Sequence, residues 1–155
     1  MPQEIERKFL VKGNFKRYIK KTTNIIQGYL SSVPERTVRV RIINDTGILT
    51  IKGIGNKSGT SRFEWETEIL RKDAENLLEL CEPGVIDKKR HIIESGDHIF
   101  EVDEFHGDNE GLILAEIELK SEDEEFMKPD WLGEEVTGDV KYYNAMLMKN
   151  PYKNW

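Results

Sequence analysis

Glu4-Ile5-Glu6-Arg7-Lys8-Phe9-Leu10-Val11 alternates two kinds of side chain. In an extended strand, positions two apart share a face, so Glu4, Glu6 and Lys8 stand together, and Ile5, Arg7, Phe9 and Val11 stand opposite them. The same period recurs downstream. Arg39 and Arg41 alternate with Val38, Val40 and Ile42; Lys52 opposes Leu49 and Ile51; Arg62, Glu64, Glu66 and Glu68 oppose Phe63, Trp65 and Ile69. Lys88 and Arg90 are two apart, Glu101 and Asp103 alternate with Phe100 and Val102, and Glu116, Glu118 and Lys120 alternate with Ala115, Ile117 and Leu119. Eight strands are predicted near 2–11, 25–31, 37–43, 47–53, 60–70, 85–94, 98–105 and 112–120. Asn44-Asp45-Thr46-Gly47, Ser95-Gly96-Asp97 and the stretch from Gly107 to Gly111 favour tight reversals, which predicts antiparallel hairpins in a meander.

Alternation alone fits half-buried strands with charges facing water as well as it fits a charged interior. Sorting by sign argues more strongly. Like charges two apart on a strand sit roughly 7 Å from each other and repel, and solvated faces usually mix signs. Here Glu4/Glu6, Glu64/Glu66/Glu68 and Glu116/Glu118 form an acidic set, while Arg39/Arg41 and Lys88/Arg90, with Lys8 and Lys52, form a basic one. Turned inward, the carboxylates offer hard oxygen ligands for Mg²⁺ or Mn²⁺, and the basic groups hold a polyanion. A triphosphate satisfies both sets. Phosphoryl transfer asks the protein chiefly for charge neutralisation and alignment of the nucleophile, and this inventory suits that task.

The 155 residues fit one domain, 1–155, with no linker-like shift in composition. The net charge of −6 argues against non-specific nucleic-acid binding. Cys81 is the single cysteine, which excludes an intramolecular disulfide and suits a reducing cytoplasm. No segment is apolar enough to predict a signal peptide or a membrane span. Helices are predicted over 14–21, opening on Asn14, over 72–81, ended by Pro83-Gly84, and near 142–149. Packed outside a curved sheet, they make an α+β barrel. The acidic run Glu122-Asp123-Glu124-Glu125 reads as a solvated helix start. His91, His98 and His106 lack zinc spacing and read as surface or structural. Cys81 reads as packing at a helix end.

Taken in order, the strand motifs resemble those of the CYTH superfamily, also called triphosphate tunnel metalloenzymes. Glu4-Ile5-Glu6-Arg7-Lys8 is similar to its E-x-E-x-K signature. It is followed by Arg39-Val40-Arg41 as R-x-R, by a lone Lys52, by the glutamates of Arg62-Phe63-Glu64-Trp65-Glu66, by Lys88-Lys89-Arg90 as K-x-R, by Glu101-Val102-Asp103, and by Glu116-Ile117-Glu118 as a closing E-x-E. Val136-Thr137-Gly138-Asp139, with Tyr142 and Asn144, resembles the C-terminal segment, although Lys141 stands where arginine is common. The resemblance implies an eight-stranded antiparallel closed β-barrel, a tunnel with helices outside. It implies that Glu4, Glu6, Glu116 and Glu118 hold Mg²⁺ or Mn²⁺ and that Lys8, Arg39, Arg41, Lys52, Lys88 and Arg90 grip the triphosphate. Glu64, Glu66 and Asp103 either ligate a second metal or orient the basic residues, with orientation favoured. Tyr29 resembles a tyrosine that pairs with the signature lysine, so Lys8 and Tyr29 are the catalytic candidates. The implied reaction is hydrolysis of inorganic triphosphate or a small organic triphosphate. A class IV adenylate cyclase and a non-catalytic triphosphate or polyphosphate-binding module are the alternatives, and a homodimer stays open.

Overall fold

The structure, a computed structural model, describes residues 5–55 and 62–155, so Glu4 lies outside the described residues. Among them are nine strands: β1 (Ile5–Val11), β2 (Ile19–Ser31), β3 (Arg36–Ile43), β4 (Thr46–Gly55), β5 (Arg62–Ile69), β6 (Ile86–Ser95), β7 (His98–Phe105), β8 (Ile113–Leu119) and β9 (Leu132–Glu135). They form one antiparallel sheet in the order β5-β4-β3-β2-β6-β7-β8-β1-β9. The expected meander is thus two meanders joined by the β2–β6 pair, with β1 added beside β8. The ladder runs from β5 to β9 without pairing those two ends among the described residues. β9 was not anticipated as a strand, because Leu132-Gly133-Glu134-Glu135 has little β-forming composition of its own and owes its conformation to pairing with β1.

The sheet curls strongly. β3 and β1 are five ladder steps apart, about 24 Å in a flat sheet at the usual strand spacing, yet Arg39 and Arg41 of β3 line one cavity of about 280 Å³ with Glu6 of β1. Apolar residues cover the convex side. Phe9, Ile93, Phe100, Val102, Ala115 and Ile117 are buried there beneath Trp131 and Leu132, and Phe126 meets the rings of Phe9 and Phe100 edge-on. Helix α1 (Arg71–Glu79) packs its Ala74, Leu77 and Leu78 against Val40, Ile42 and Leu49. Cys81 lies at the end of that helix, its thiol donating to the Leu77 carbonyl oxygen at 3.4 Å.

Elsewhere the chain departs from the predicted helices. Over 14–21 there is only a 3-10 turn at Lys16–Tyr18, where Asn14 Oδ1 accepts from the Lys16 N–H at 3.0 Å. The strand then starts at Ile19, because β-branched Ile19, Thr22 and Thr23 suit an extended chain and β6 pairs with them. The acidic run 122–125 forms a turn, not a helix. Glu124 there accepts from the Lys120 N–H at 2.8 Å and pairs with His98. The C-terminal helix is a single turn, α2 (Asn144–Leu147), after a 3-10 turn at Val140–Tyr142. Tyr142, Leu147 and Met148 pack with Ile86, Phe105, Leu114 and Leu10 on the concave face and fill one end of it. Gly84 makes that approach possible. Its φ is +98°, and a Cβ there would stand 2.3 Å from the Met148 carbonyl oxygen. No helix among the described residues is long and apolar enough to cross a membrane.

Candidate active site

The concave face collects the sorted charges. One cavity is lined by Glu6 from β1, Gln27 and Tyr29 from β2, Arg39 and Arg41 from β3, Lys88 and Arg90 from β6, Glu101 from β7, Glu116 and Glu118 from β8, and Asn144 from α2. A neighbouring cavity of about 390 Å³ shares Glu6, Arg90, Glu116 and Asn144, and adds Lys8, Thr137 and Tyr143. A larger cavity of about 720 Å³ lies outside, among Asn14, Tyr18, Gly96 and Trp131. It holds none of the predicted site residues, so the trough is the better candidate.

Strand register explains how distant residues meet. Lys8 pairs across with Glu116 and Glu6 with Glu118, Arg90 with Asp103, Gln27 with Arg41 and Tyr29 with Arg39. Each strand therefore delivers its i, i+2 pair to the same face at the same height. Lys52 and Glu64 face each other across β4 and β5, 3.7 Å apart, and Glu66 stands opposite Thr50. Both glutamates are exposed. They form the outer flank of the trough.

Asp103 is held between two cations. It accepts from Lys88 Nζ at 2.9 Å and from Arg90 Nε and Nη2 at 2.8 and 2.9 Å, and Lys88 is only 2% exposed. Burial pushes the Asp103 carboxyl up, but the hydrogen bonds and charges of Arg90 and Lys88 outweigh it and hold it below the usual range. Burial pulls Lys88 the other way, below the usual lysine range, and Asp103 restores only part of that. Arg90 also reaches Glu101 at 3.0 Å, and its partners raise it despite burial.

Two groups of side chains on this face lack compensation. The buried Nε atoms of Arg39 and Arg41, and the Thr50 hydroxyl, have no hydrogen-bond partner among the described residues. Burial, and then the neighbouring Arg39, pull the Arg41 guanidinium down. Across the trough, burial and the carboxylates of Glu116, Glu118 and Glu101 push the Glu6 carboxyl up. Burial likewise raises Glu101; Arg90 draws it partly back, and Asp103, Glu116 and Glu118 add to the rise. Unsatisfied buried donors cost free energy, as do crowded carboxylates. An anion on one side and a cation on the other would relieve both. Among the described residues no three acidic, histidine or cysteine side chains gather closely enough to hold an ion unaided, and Glu4 is not among those residues.

Lys8 has three neighbours at its ammonium. Its ammonium donates to the Tyr142 carbonyl oxygen at 3.4 Å, stands 3.4 Å from Glu116 Oε1 and lies 5.0 Å from the centre of the Tyr143 ring. Tyr29 lines the adjoining cavity. Sequence reasoning passed over Glu101, Gln27, Thr50 and Tyr143 as site residues. Glu101 was legible as the partner of Asp103 in the same i, i+2 pair, whereas uncharged Gln27, Thr50 and Tyr143 carry no signal in a charge pattern.

On the outer side of β1, Arg7 makes a bidentate pair with Glu135, from Nε at 2.9 Å and from Nη2 at 2.6 Å. That hydrogen bonding is the main cause that draws the Glu135 carboxyl down to about 2. A depressed carboxylate contributes stability above its ordinary pKa and loses it as pH falls through the folded value. The wild type should therefore exceed Arg7→Ala in urea stability by up to about 1 kcal/mol near neutrality, because the pair is partly exposed. The gap should close as pH drops from about 5 towards 2. A gap independent of pH would show that the pair adds nothing electrostatic.

The CYTH domain family matches residues 2–146. An inorganic triphosphatase of Acetivibrio thermocellus is 49% identical over 156 aligned positions, covering 100% of this chain and 99% of that protein. An inorganic triphosphatase of Nitrosomonas europaea is 35% identical, covering 93% of this chain and 95% of that protein. A crystal structure of an inorganic triphosphatase superposes with a TM-score of 0.79 at 33% identity, over 96% of this chain and 95% of that one. By sequence and by the form of its charged trough, this chain belongs to the CYTH domain family.

Proposed function

We propose that the protein is a divalent-metal-dependent hydrolase of inorganic triphosphate. The observation that carries this reading is the trough itself. The buried Nε groups of Arg39 and Arg41, without a hydrogen-bond partner among the described residues, face a crowded set of carboxylates across a cavity of about 280 Å³. Ile25 is the one aliphatic residue in that lining, and Tyr29 the one aromatic. A nucleobase or thiazole would find little apolar wall there, whereas a bare polyphosphate needs none. The activity named for the relatives is the same.

Lys8, Arg39, Arg41, Lys52, Lys88 and Arg90 bind the phosphate oxygens in this reading, with Asp103 holding Lys88 and Arg90 in place. Glu6, Glu116 and Glu118, with Glu4 beside them in sequence, would hold Mg²⁺ or Mn²⁺; bound there, the ion neutralises phosphoryl charge and favours a water-derived nucleophile. The raised Glu6 and Glu101 carboxyls fit a site made to be completed by a cation. Lys8 stays an electrostatic positioner of the phosphate rather than a base, and Tyr29 lies where it can orient the same oxygens.

One panel tests the proposal. Purified protein with tripolyphosphate and Mg²⁺ or Mn²⁺ should release phosphate, and excess EDTA should stop it. Thiamine triphosphate and ATP should turn over more slowly. Cyclic AMP from ATP would instead establish the cyclase reading, and binding without either product the non-catalytic one.

A further inference from the structure

The two sides of Lys8 are held differently. Along β8 its backbone follows the ordinary ladder opposite Glu116. On the other side β9 ends at Glu135, and two further residues continue the pairing in another way. The Val136 N–H donates to the Lys8 carbonyl oxygen at 2.8 Å. The Lys8 N–H donates to the Thr137 hydroxyl oxygen at 2.9 Å. A side-chain oxygen thus stands where a longer strand would have offered a carbonyl.

The hydroxyl's direction is fixed. Thr137 Oγ1 donates to Glu135 Oε2 at 2.7 Å, and Glu135, clamped by Arg7, stays ionised down to about 2. An ionised carboxylate only accepts, and it is nearer than the Lys8 carbonyl oxygen at 3.4 Å, so the threonine proton points to it and a lone pair is left for the Lys8 N–H. Freed from the strand, the backbone turns at Gly138, whose φ is +80°. It then brings the Tyr142 carbonyl and the Tyr143 ring to the Lys8 ammonium. Segment 136–143 therefore grips Lys8 at its N–H, its C=O and its ammonium.

We propose that Thr137, set by Glu135 and Arg7, is a positioning residue for Lys8 and through it for turnover. This deepens the triphosphatase reading and rests on the role assigned to Lys8 there. Thr137 and Glu135 are exposed, so their hydrogen bonds contribute little to stability. Their effect on turnover is larger, because a misplacement of about 1 Å in a reacting group can cost about 100-fold.

Thr137→Val keeps the shape and removes the hydroxyl; Thr137→Ser keeps the hydroxyl. With tripolyphosphate and Mg²⁺, Thr137→Val should lower kcat about 10- to 100-fold with KM within about threefold. Its Tm should move by no more than about 2–4 °C. Thr137→Ser should regain most of the lost kcat. If Thr137→Val retains kcat within about twofold while Lys8→Met is inactive, the positioning role is overturned and the role of Lys8 stands. If Lys8→Met is itself active, the underlying reading of the site is what fails. Equal losses in Thr137→Ser and Thr137→Val would also overturn the proposal. Should Thr137→Val not fold, Glu135→Gln tests the same device, since its amide competes for the hydroxyl. A kcat loss of about 3- to 10-fold is expected, and an unchanged kcat counts against the role.

Discussion

Lys8→Met is expected to abolish measurable hydrolysis of tripolyphosphate while leaving the protein folded. Methionine keeps the length and apolar stem of the side chain and removes only the charge. That charge stands beside Glu116 and under the Tyr142 carbonyl, in the cavity that shares Glu6, Arg90 and Glu116 with the arginine-lined one. A single preorganised stabilising group of this kind is worth about 100- to 1,000-fold in kcat. The stability cost is small by comparison, because the contact to Glu116 is a loose, partly solvated pair worth about 1 kcal/mol or less. Initial rates and a thermal melt on the same preparation separate the two effects. Near-normal turnover would falsify the assignment of Lys8.

The second large effect concerns stability as much as activity. Asp103→Ala leaves Lys88, which is 2% exposed, with no carboxylate in hydrogen-bond range among the described residues, and removes both bonds that hold Arg90 from one side. Removing one partner of a buried pair costs about 3–5 kcal/mol, since the remaining charge stays desolvated. Turnover should fall with it, because the two cations proposed to bind phosphate lose their orientation together. Asp103→Ala combined with Lys88→Met should recover part of the stability, by removing the stranded cation, and none of the activity. Urea midpoints and tripolyphosphate hydrolysis for the three variants decide it. A double variant no more stable than Asp103→Ala would show that the aspartate matters for something other than balancing Lys88.

The sheet and its charged face were legible because they rest on local rules. The i, i+2 pairs Arg39/Arg41, Lys88/Arg90 and Glu116/Glu118 declare both a strand and a face, and the structure brings all six side chains into one cavity. Lys8 and Glu6 were found by the same signal. What escaped the sequence depends on residues far apart in the chain. Thr22 and Thr23 suit an extended chain, but it is pairing with β6 that carries the strand back over the stretch read as a helix from Asn14. Thr137 serves Lys8 across 129 residues, a relation that no periodicity encodes. Tyr143 and Asn144 looked like parts of a short helix, and it is the turn at Gly138 that carries them over the trough.

The position of β1 between β8 and β9 also shapes how the molecule is made. Its nearest ladder partner to Lys8 is Glu116, and its outer clamp, Arg7 to Glu135, spans 128 residues. A ribosome delivers β1 well before β8 and β9, so the strand waits unpaired while the chain between them is made. Closing such long loops is slow relative to forming the β2–β5 or β6–β8 hairpins. The incorporation of β1 should therefore come late in folding. Since Glu6 and Lys8 enter the trough with it, a chain stalled before β8 would display Arg39 and Arg41 without Glu6, Glu116 and Glu118 opposite them and could not assemble a working site.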